Sequence, residues 1–439
     1  MSRLKRDEIV ALDKRYLWHP YTAMEDYRRD VDPLVIERAA GSRLFDVDGT
    51  SYIDANASWW VSTLGHNHPR IVEALARQAQ EMCHVALAGI AHEGSARLAQ
   101  KMVEVTPKSL NHVFFSDNGS TAVEVAMKLA LQYWAQNGRP ERRRFVALEE
   151  AFHGETMGVT SLCGVGVFKE LFEETTLESF HVKPPVEAGT IDACVAELEA
   201  LLVREADVIA ALVLEPMVQG AGGMRIYPAE YLRAARELCD RHDIFLILDE
   251  VFTGYGRTGP MWAVEHTEKD SDVVQPDILC SAKGFSGGTL PMSATLASSR
   301  IFDGFLGGRE RAFYYGHSFC GNPLGCAVAL EALSVFEEEK ILEQAAPKAE
   351  KIAAAFEGFS DLPGVAATRS LGMIGALNLA GDSGYLARAG WEVYEEARKR
   401  GAYLRPMGDL VYITPALTIP DADLDALLGI IEESIRAIA

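Results

Sequence analysis

Three short stretches hold residue types that could do chemistry. In "DILCSAKGFSGG", Lys283 closes an apolar run and is followed by Gly284, Gly287 and Gly288. A lysine at the end of a buried strand is partly desolvated, which lowers the pKa of its amine and leaves it nucleophilic toward a carbonyl. Taken alone it would be a surface lysine at a strand end, because lysines are rarely buried. In "FLILDEVFTGYGRTG", Asp249 and Glu250 close a second apolar run. An acid there is costly unless it meets a cation or a strong donor, and ligands sit at the C-terminal ends of strands in open α/β sheets. In "VFFSDNGSTAVEVAMK", Gly119, Ser120 and Thr121 lead from a strand into an amphipathic stretch, with Glu124 three residues after Thr121. That spacing predicts a capping box from Thr121 to Glu124. A helix N-terminus with glycine and hydroxyl side chains also suits an anion, through its free amides and its dipole.

Other chemistries fit these stretches less well. Gly254, Gly256 and Gly259 have the G-x-G-x-x-G spacing, and a nicotinamide-dependent dehydrogenase is one reading of them. A dinucleotide turn must open a helix and carry its acid about 20 residues later. Here Pro260 follows at once and the acids come first. A magnesium role for Asp249 would need a G-x-x-x-x-G-K-[ST] loop, which the chain lacks. "GHNHP" sets His66 and His68 two apart without further ligand types nearby, so it reads as a structural turn, and His153 in "AFHGET" as a support for a pocket. No metal is assigned.

The elements that must position these residues follow from periodicity. "HVFFS", "RFVAL", "AALVLEP", "FLILDE", "DILCSA" and "SATLAS" read as buried strands. Between them lie helical patterns, with Val123, Met127, Ala130 and Trp134 on one face and Leu232, Ala235, Leu238 and Cys239 on another. This alternation predicts an α/β fold with a mainly parallel sheet. The ends differ: "RLFDVDGTSYIDA" predicts a hairpin around Asp48-Gly49, and the last hundred or so residues mix long helices with "VAATRS", "GMIGALNLA" and "LVYITPA". "ARAGWEVYEEARKRG" predicts a surface helix ending at Gly401. The expected organisation is a large domain over 61–334 and a smaller α+β domain built from 1–60 and 335–439.

Composition narrows the partners. The 439 residues are 48% apolar and carry a net charge of -21, a field that repels nucleic acid and anionic membrane and favours small molecules. "RPERRR" is too short and interrupted for a phosphate-tracking patch and reads as a solvated loop. No run of 18 apolar residues occurs, and the four apolar residues of "IVAL" are too few for a signal-peptide core. The seven scattered cysteines read as buried, reduced thiols of a cytoplasmic protein.

An acid for a ring nitrogen, a lysine for an aldehyde and a helix terminus for a phosphate are together what pyridoxal 5'-phosphate requires. The chain resembles the class III, fold-type I aminotransferases over nearly its whole length, through "DNGSTAVEVAMKLA", "AFHGET", "EPMVQGAGGM", "LDEVFTGYGRTG", "SAKGFSGG" and "GHSFCGNP" in that order. "WHPYT", "ASWWVSTLGHNHP" and "LRPMGDLVYITP" sharpen the likeness to members that aminate 8-amino-7-oxononanoate to 7,8-diaminononanoate in biotin synthesis. The alternative within the class is a transaminase of another ω-amino acid or amine.

The resemblance implies pyridoxal phosphate as cofactor, a small-molecule amino donor, a keto-acid acceptor, and a homodimer whose site lies at the subunit interface. It implies that Lys283 links to the cofactor aldehyde and moves the proton, that Asp249 pairs with the pyridinium nitrogen, and that Phe152 stacks on the ring. Gly119 and Ser120 would hold the phosphate, with Ser318 reaching it from the other subunit, and His317 would also contact the cofactor. On the substrate side it implies an apolar wall of Trp59 and Trp60, with Tyr21 and Tyr412 at the entrance. Arg405 would receive the acceptor's carboxylate, and Gly316 and Arg257 would line the site. Two departures stand out. Phe152 and Glu155 replace the tyrosine and aspartate usual in "AFHGET", and His317-Ser318 replaces the proline-threonine of some members that use S-adenosylmethionine, so the expected donor is S-adenosylmethionine or lysine.

Overall fold

The structure, a computed structural model, describes residues 4–438. Its centre is a seven-stranded sheet in the spatial order Leu110–Ser116, Ser293–Ser298, Ile278–Ser281, Phe245–Asp249, Ile209–Leu214, Arg144–Leu148, Ser179–Val182. All neighbours are parallel except Ser293–Ser298, which runs against both of its partners. Strands covered on both faces become continuous apolar runs, and Ile209–Leu214, Phe245–Asp249 and Ile278–Ser281 are buried at every position. Each of the six runs read as a strand forms one. The edge strand Ser179–Val182 was not anticipated, since "SFHV" is short and only half-buried.

Helices cover both faces of the sheet. Gly119–Gln136 packs on Ile278–Ser281 and Ser293–Ser298, and Ala229–Arg241 packs on Ile191–Glu205 and Phe245–Asp249. The buried faces are those given by periodicity: Val123, Met127, Ala130 and Trp134 on the first helix, and Leu232, Ala235, Leu238 and Cys239 on the second.

Two small sheets come from the chain's ends. The hairpin Arg43–Asp46/Ser51–Asp54 pairs Phe45 with Ser51 around Asp48-Gly49, and Ala402 from the C-terminal region adds in parallel beside Ile53. Val365–Leu371, Ile374–Leu379 and Leu410–Ile413 form an antiparallel sheet. Arg43 joins the two ends through Asp423, N to O 2.7 Å, on the last helix.

Two local expectations are corrected. Thr121 is not the helix cap: Asn118 is, accepting from the Thr121 amide at 3.0 Å while the Thr121 hydroxyl accepts from the Asn118 amide at 3.2 Å. An Asx side chain reaches the N3 amide as well as threonine does, so the box starts three residues earlier and frees Glu124 to receive the Thr156 hydroxyl at 2.7 Å. "RPERRR" is not wholly solvated either. Arg142 is buried, its guanidinium 4.2 Å from the Trp134 ring centroid and donating to the carbonyls of His242 and Asp243.

All seven cysteines are free, and five are buried as expected, but Cys320 is only part-buried and Cys83, just past the end of the helix Pro69–Glu81, is exposed. Among the described residues no helix is long and apolar enough to cross a membrane.

Candidate active site

Register brings the strand-end residues together. Leu248 pairs with Leu214 and Asp249 with Cys280, so Glu215, Asp249 and Lys283 leave the C-terminal ends of three adjacent parallel strands. They line one cavity of about 540 Å³ with Gly119 and Ser120 at the helix N-terminus, Phe152, His153, Glu155, Tyr21 and Trp60. The anion-binding end of the helix thus faces the acid and the lysine across a single space.

Each group is held by its neighbours. Asp249 is buried, with Oδ2 2.8 Å from His153 Nδ1 and Oδ1 accepting from the Val251 amide at 3.0 Å. Burial pulls the His153 pKa down, but the hydrogen bond and charge of Asp249 outweigh it and leave it raised. Nε2 of His153 is buried without a partner. The Lys283 amine lies 4.4 Å from the Trp60 ring centroid and 5.6 Å from that of Phe252. Desolvation lowers its pKa to about 8, against the opposing pull of Asp249 and Glu215. Lys283 also takes a left-handed backbone, φ 48°, at a cost in strain.

The helix N-terminus is built for close approach. A Cβ at Gly119 would lie 2.7 Å from Val251 Cγ1, and one at Gly154 would lie 2.3 Å from Ser120 Oγ. Ser120 Oγ accepts from the Glu155 amide at 2.9 Å, tying the loop of Phe152 to the helix end. First-turn amides have no intrahelical partner and favour an anion. This cradle, the braced Asp249 carboxylate and a lysine with a depressed pKa fit pyridoxal phosphate: phosphate, ring nitrogen and aldehyde each have a matching group.

The substrate side rests on an unusual turn. Ala57, Ser58, Trp59 and Trp60 all have positive φ, at 45°, 45°, 66° and 75°. Left-handed residues cost roughly 1–2 kcal/mol each, and Asp54 holds the turn. Its Oδ2 accepts from the Ser58 amide at 2.7 Å and the Ser58 hydroxyl at 3.0 Å, and lies 2.8 Å from His66 Nε2. His66 of "GHNHP" therefore braces this turn, while His68 faces Glu339 at 3.5 Å. Trp60 reaches the cavity, and Trp59 packs edge-on against Tyr21, centroids 5.1 Å apart. Tyr21 at the mouth donates its hydroxyl to Glu155, whose extra methylene spans that gap. Arg405 lies with its guanidinium 4.6 Å from the Trp59 ring centroid, outside the cavity lining.

Two expected positions differ. Tyr412 does not stand at the entrance: it is buried behind Trp60, accepting from its indole Nε1 at 3.2 Å. Arg257 does not line the cavity. It is buried, donating through Nη1 to the carbonyls of Pro415 at 2.8 Å and Met373 at 3.4 Å, and burial lowers its pKa to about 9. A residue in a glycine-rich loop can pack against the far side of that loop, and sequence spacing does not tell the sides apart.

Gly316 and Ser318 are exposed and His317 part-buried, and none of the three lines this cavity in its own chain. The glycines from Gly254 to Gly259 shape a turn and open no helix, because Glu250 anchors it. Its carboxylate accepts from Thr253 Oγ1 at 2.6 Å and from the amides of Ala263 and Val264 at 3.0 and 2.9 Å, and burial raises its pKa to about 7.

Sequence reasoning missed Glu215. It closes a strand of the same kind as Asp249, in "LVLEP", and that signal could have found it. Burial raises its pKa to about 7, with the charges of His153 and Asp249 acting in opposite directions. Phe168, Tyr385 and Trp391, which surround Tyr21 and Arg405, were also missed and carry no local signal.

The family described as aminotransferase class-III matches residues 26–435. An adenosylmethionine-8-amino-7-oxononanoate aminotransferase of Geobacter sulfurreducens is 38% identical over 444 residues, covering 97% of each chain. The crystal structure of an enzyme of the same name from Methanocaldococcus jannaschii superposes with a TM-score of 0.93 at 35% identity, covering 99% of both chains. An amine transaminase from an uncultivated Pseudomonas species, in a PLP-bound form, gives 0.90 at 32% identity over 97% of this chain and 99% of its own. With the site's geometry and these likenesses agreeing from end to end, the chain belongs to the class III aminotransferases, whose cofactor is pyridoxal 5'-phosphate.

Proposed function

We propose that this transaminase aminates 8-amino-7-oxononanoate to 7,8-diaminononanoate, with S-adenosylmethionine or lysine as donor. The observation that carries the reading is the wall of indole and phenol rings beside Lys283 that leads to Arg405. Such a wall takes an aliphatic chain, and a guanidinium fork beyond it takes a carboxylate. The names of the relatives point the same way.

In this mechanism Gly119 and Ser120 would hold the cofactor's phosphate, Asp249 would pair with the ring nitrogen and Phe152 would cover a ring face. Bound pyridoxal phosphate supplies an aldehyde and an electron-withdrawing ring, which together make the proton on an amino-bearing carbon removable near neutral pH. His153, with Nδ1 2.8 Å from Asp249 Oδ2, keeps that carboxylate oriented. Lys283, with its pKa near 8, is neutral in a useful fraction of molecules and can both attack a carbonyl and accept or return a proton. Trp60 keeps water from its amine.

Gly316, His317 and Ser318 fit a role in the second site of a homodimer, and exposed Tyr314 and Phe319 on the same segment suit burial by a partner. A cytoplasmic location agrees with the free thiols.

The test is turnover of 8-amino-7-oxononanoate by purified holoenzyme with S-adenosylmethionine, lysine or alanine, read by mass spectrometry of the diamine. Product with one of these donors is expected. Efficient amination of simple ketones without any diamine would favour the amine transaminase, which the likeness to the Pseudomonas enzyme makes the second reading.

A further inference from the structure

The end of the cavity suited to an anion also contains an acid. Asp117 stands two residues before Gly119 and lines the cavity with Asn118, Gly119 and Ser120. A carboxylate beside a phosphate raises the cost of binding it. Two donors from its own helix end hold one oxygen: Oδ1 accepts from the Thr121 hydroxyl at 2.8 Å and from Asn118 Nδ2 at 3.0 Å. Both donors are neutral, so they orient the carboxylate and leave its charge in place.

His317 reaches the same oxygen from a distant part of the chain. Its Nε2 is buried without a hydrogen-bond partner and lies 3.6 Å from Asp117 Oδ1. Its Nδ1 accepts from the Phe319 amide at 3.2 Å, so in the neutral ring the N–H is on Nε2, the nitrogen nearer Asp117. The ring is held by its own turn, in which the Cys320 amide donates to the His317 carbonyl at 3.1 Å and the His317 amide to Cys320 Sγ at 3.3 Å. A proline at this position, as in the proline-threonine form, has no side-chain donor. The pair with Asp117 is therefore a feature of the departure at His317.

We propose that His317 acts on the cofactor site of its own chain, as a positioning residue that holds and screens Asp117 so that the phosphate can bind beside it. The proposal rests on the placement of that phosphate at Gly119 and Ser120. Ser318, exposed beside His317, remains available to the other subunit. The consequence is a dependence on charge alone: without the imidazole Asp117 repels the phosphate, and without the charge of Asp117 the imidazole is dispensable.

The probes are pyridoxal phosphate and pyridoxal, which differ in the phosphate, each equilibrated with the full-length protein and read by the absorbance of the bound form. His317→Leu should weaken pyridoxal phosphate by about three- to fivefold and leave pyridoxal unchanged. His317→Gln, which keeps an N–H within reach of Asp117, should lose less. In an Asp117→Asn background, His317→Leu should have no further effect. An unchanged affinity in His317→Leu, a loss shared by pyridoxal, or a loss that persists beside Asp117→Asn overturns the proposal. Ser120→Asp checks the placement itself, and should cut the preference for the phosphorylated form by at least about tenfold. An unchanged preference in that variant overturns the placement together with the proposal, whereas a His317→Leu loss that ignores Asp117 overturns the pairing alone, so the two failures are distinct.

Discussion

Lys283 sits where an ammonium is expensive, and the consequence is measurable without the cofactor. Its pKa falls from 10.5 to about 8 on folding, so between those values the unfolded chain binds the proton and the folded chain does not. Stability then rises with pH across that window. Replacing Lys283 by Met removes this dependence. The stability of wild-type apoprotein relative to the variant is expected to increase by on the order of 2 kcal/mol from pH 8 to 10.5, as measured by urea denaturation. A constant difference would mean that the amine is solvated. At this scale the sequence is most legible, because the penalty for a charged side chain at a buried strand end can be read from residue order. It identifies Asp249 and Lys283, and applied to "LVLEP" it would have identified Glu215. Arg257 and Tyr412 resisted the same treatment, since whether a side chain faces a cavity or the packing behind it is settled by elements distant in the chain.

The left-handed turn from Ala57 to Trp60 shows what an element contributes beyond its residues. Two tryptophans in a row read as an apolar wall, yet nothing in "ASWW" announces positive φ, and β-strand or helix would have placed the two rings differently. The conformation persists because Asp54 and Asn56 over-determine it. Asp54 takes the Ser58 amide and hydroxyl, while Asn56 Nδ2 donates to the Tyr412 carbonyl at 3.1 Å and its Oδ1 accepts from the Arg405 amide at 2.7 Å. One network thus sets the wall and the backbone of the arginine together. Asp54→Ala removes the buried acceptor and leaves His66 and the turn unsupported, a loss of about 3 kcal/mol by the usual cost of orphaned buried polar groups. Melting temperature should fall by several degrees, and KM for the acceptor should rise at least about tenfold as the wall loosens. The cofactor's absorbance and stoichiometry should stay at wild-type values, because Asp249, Lys283 and the helix N-terminus stand on the large sheet. Loss of cofactor in this variant would show that the two ends of the site are not independently supported.

At the scale of the molecule, the chain leaves one part of its site unaccounted for. The likeness assigns Gly316, His317 and Ser318 to the cofactor and substrate, yet their own cavity does not include them, and Gly316 and Ser318 face outward. A two-fold dimer resolves this if each protomer lends the segment to the other, since an isologous interface repeats any such loan symmetrically. Complementation tests it. Lys283→Ala leaves a chain that can lend the segment but cannot react, and Ser318→Asp leaves one that can react but lends a negative charge where an anion must bind. Each variant alone should be nearly inactive. Dissociated and reassociated in equal amounts, half of the dimers are mixed, and each mixed dimer has one site with both an intact lysine and an intact lent segment. Activity should therefore recover to about a quarter of wild type. If each site is completed within one chain, the mixed dimer contains no intact site and activity stays at the level of the separate variants. Recovery would also mean that Gly316 and Ser318, exposed in the single chain, are interior in the enzyme.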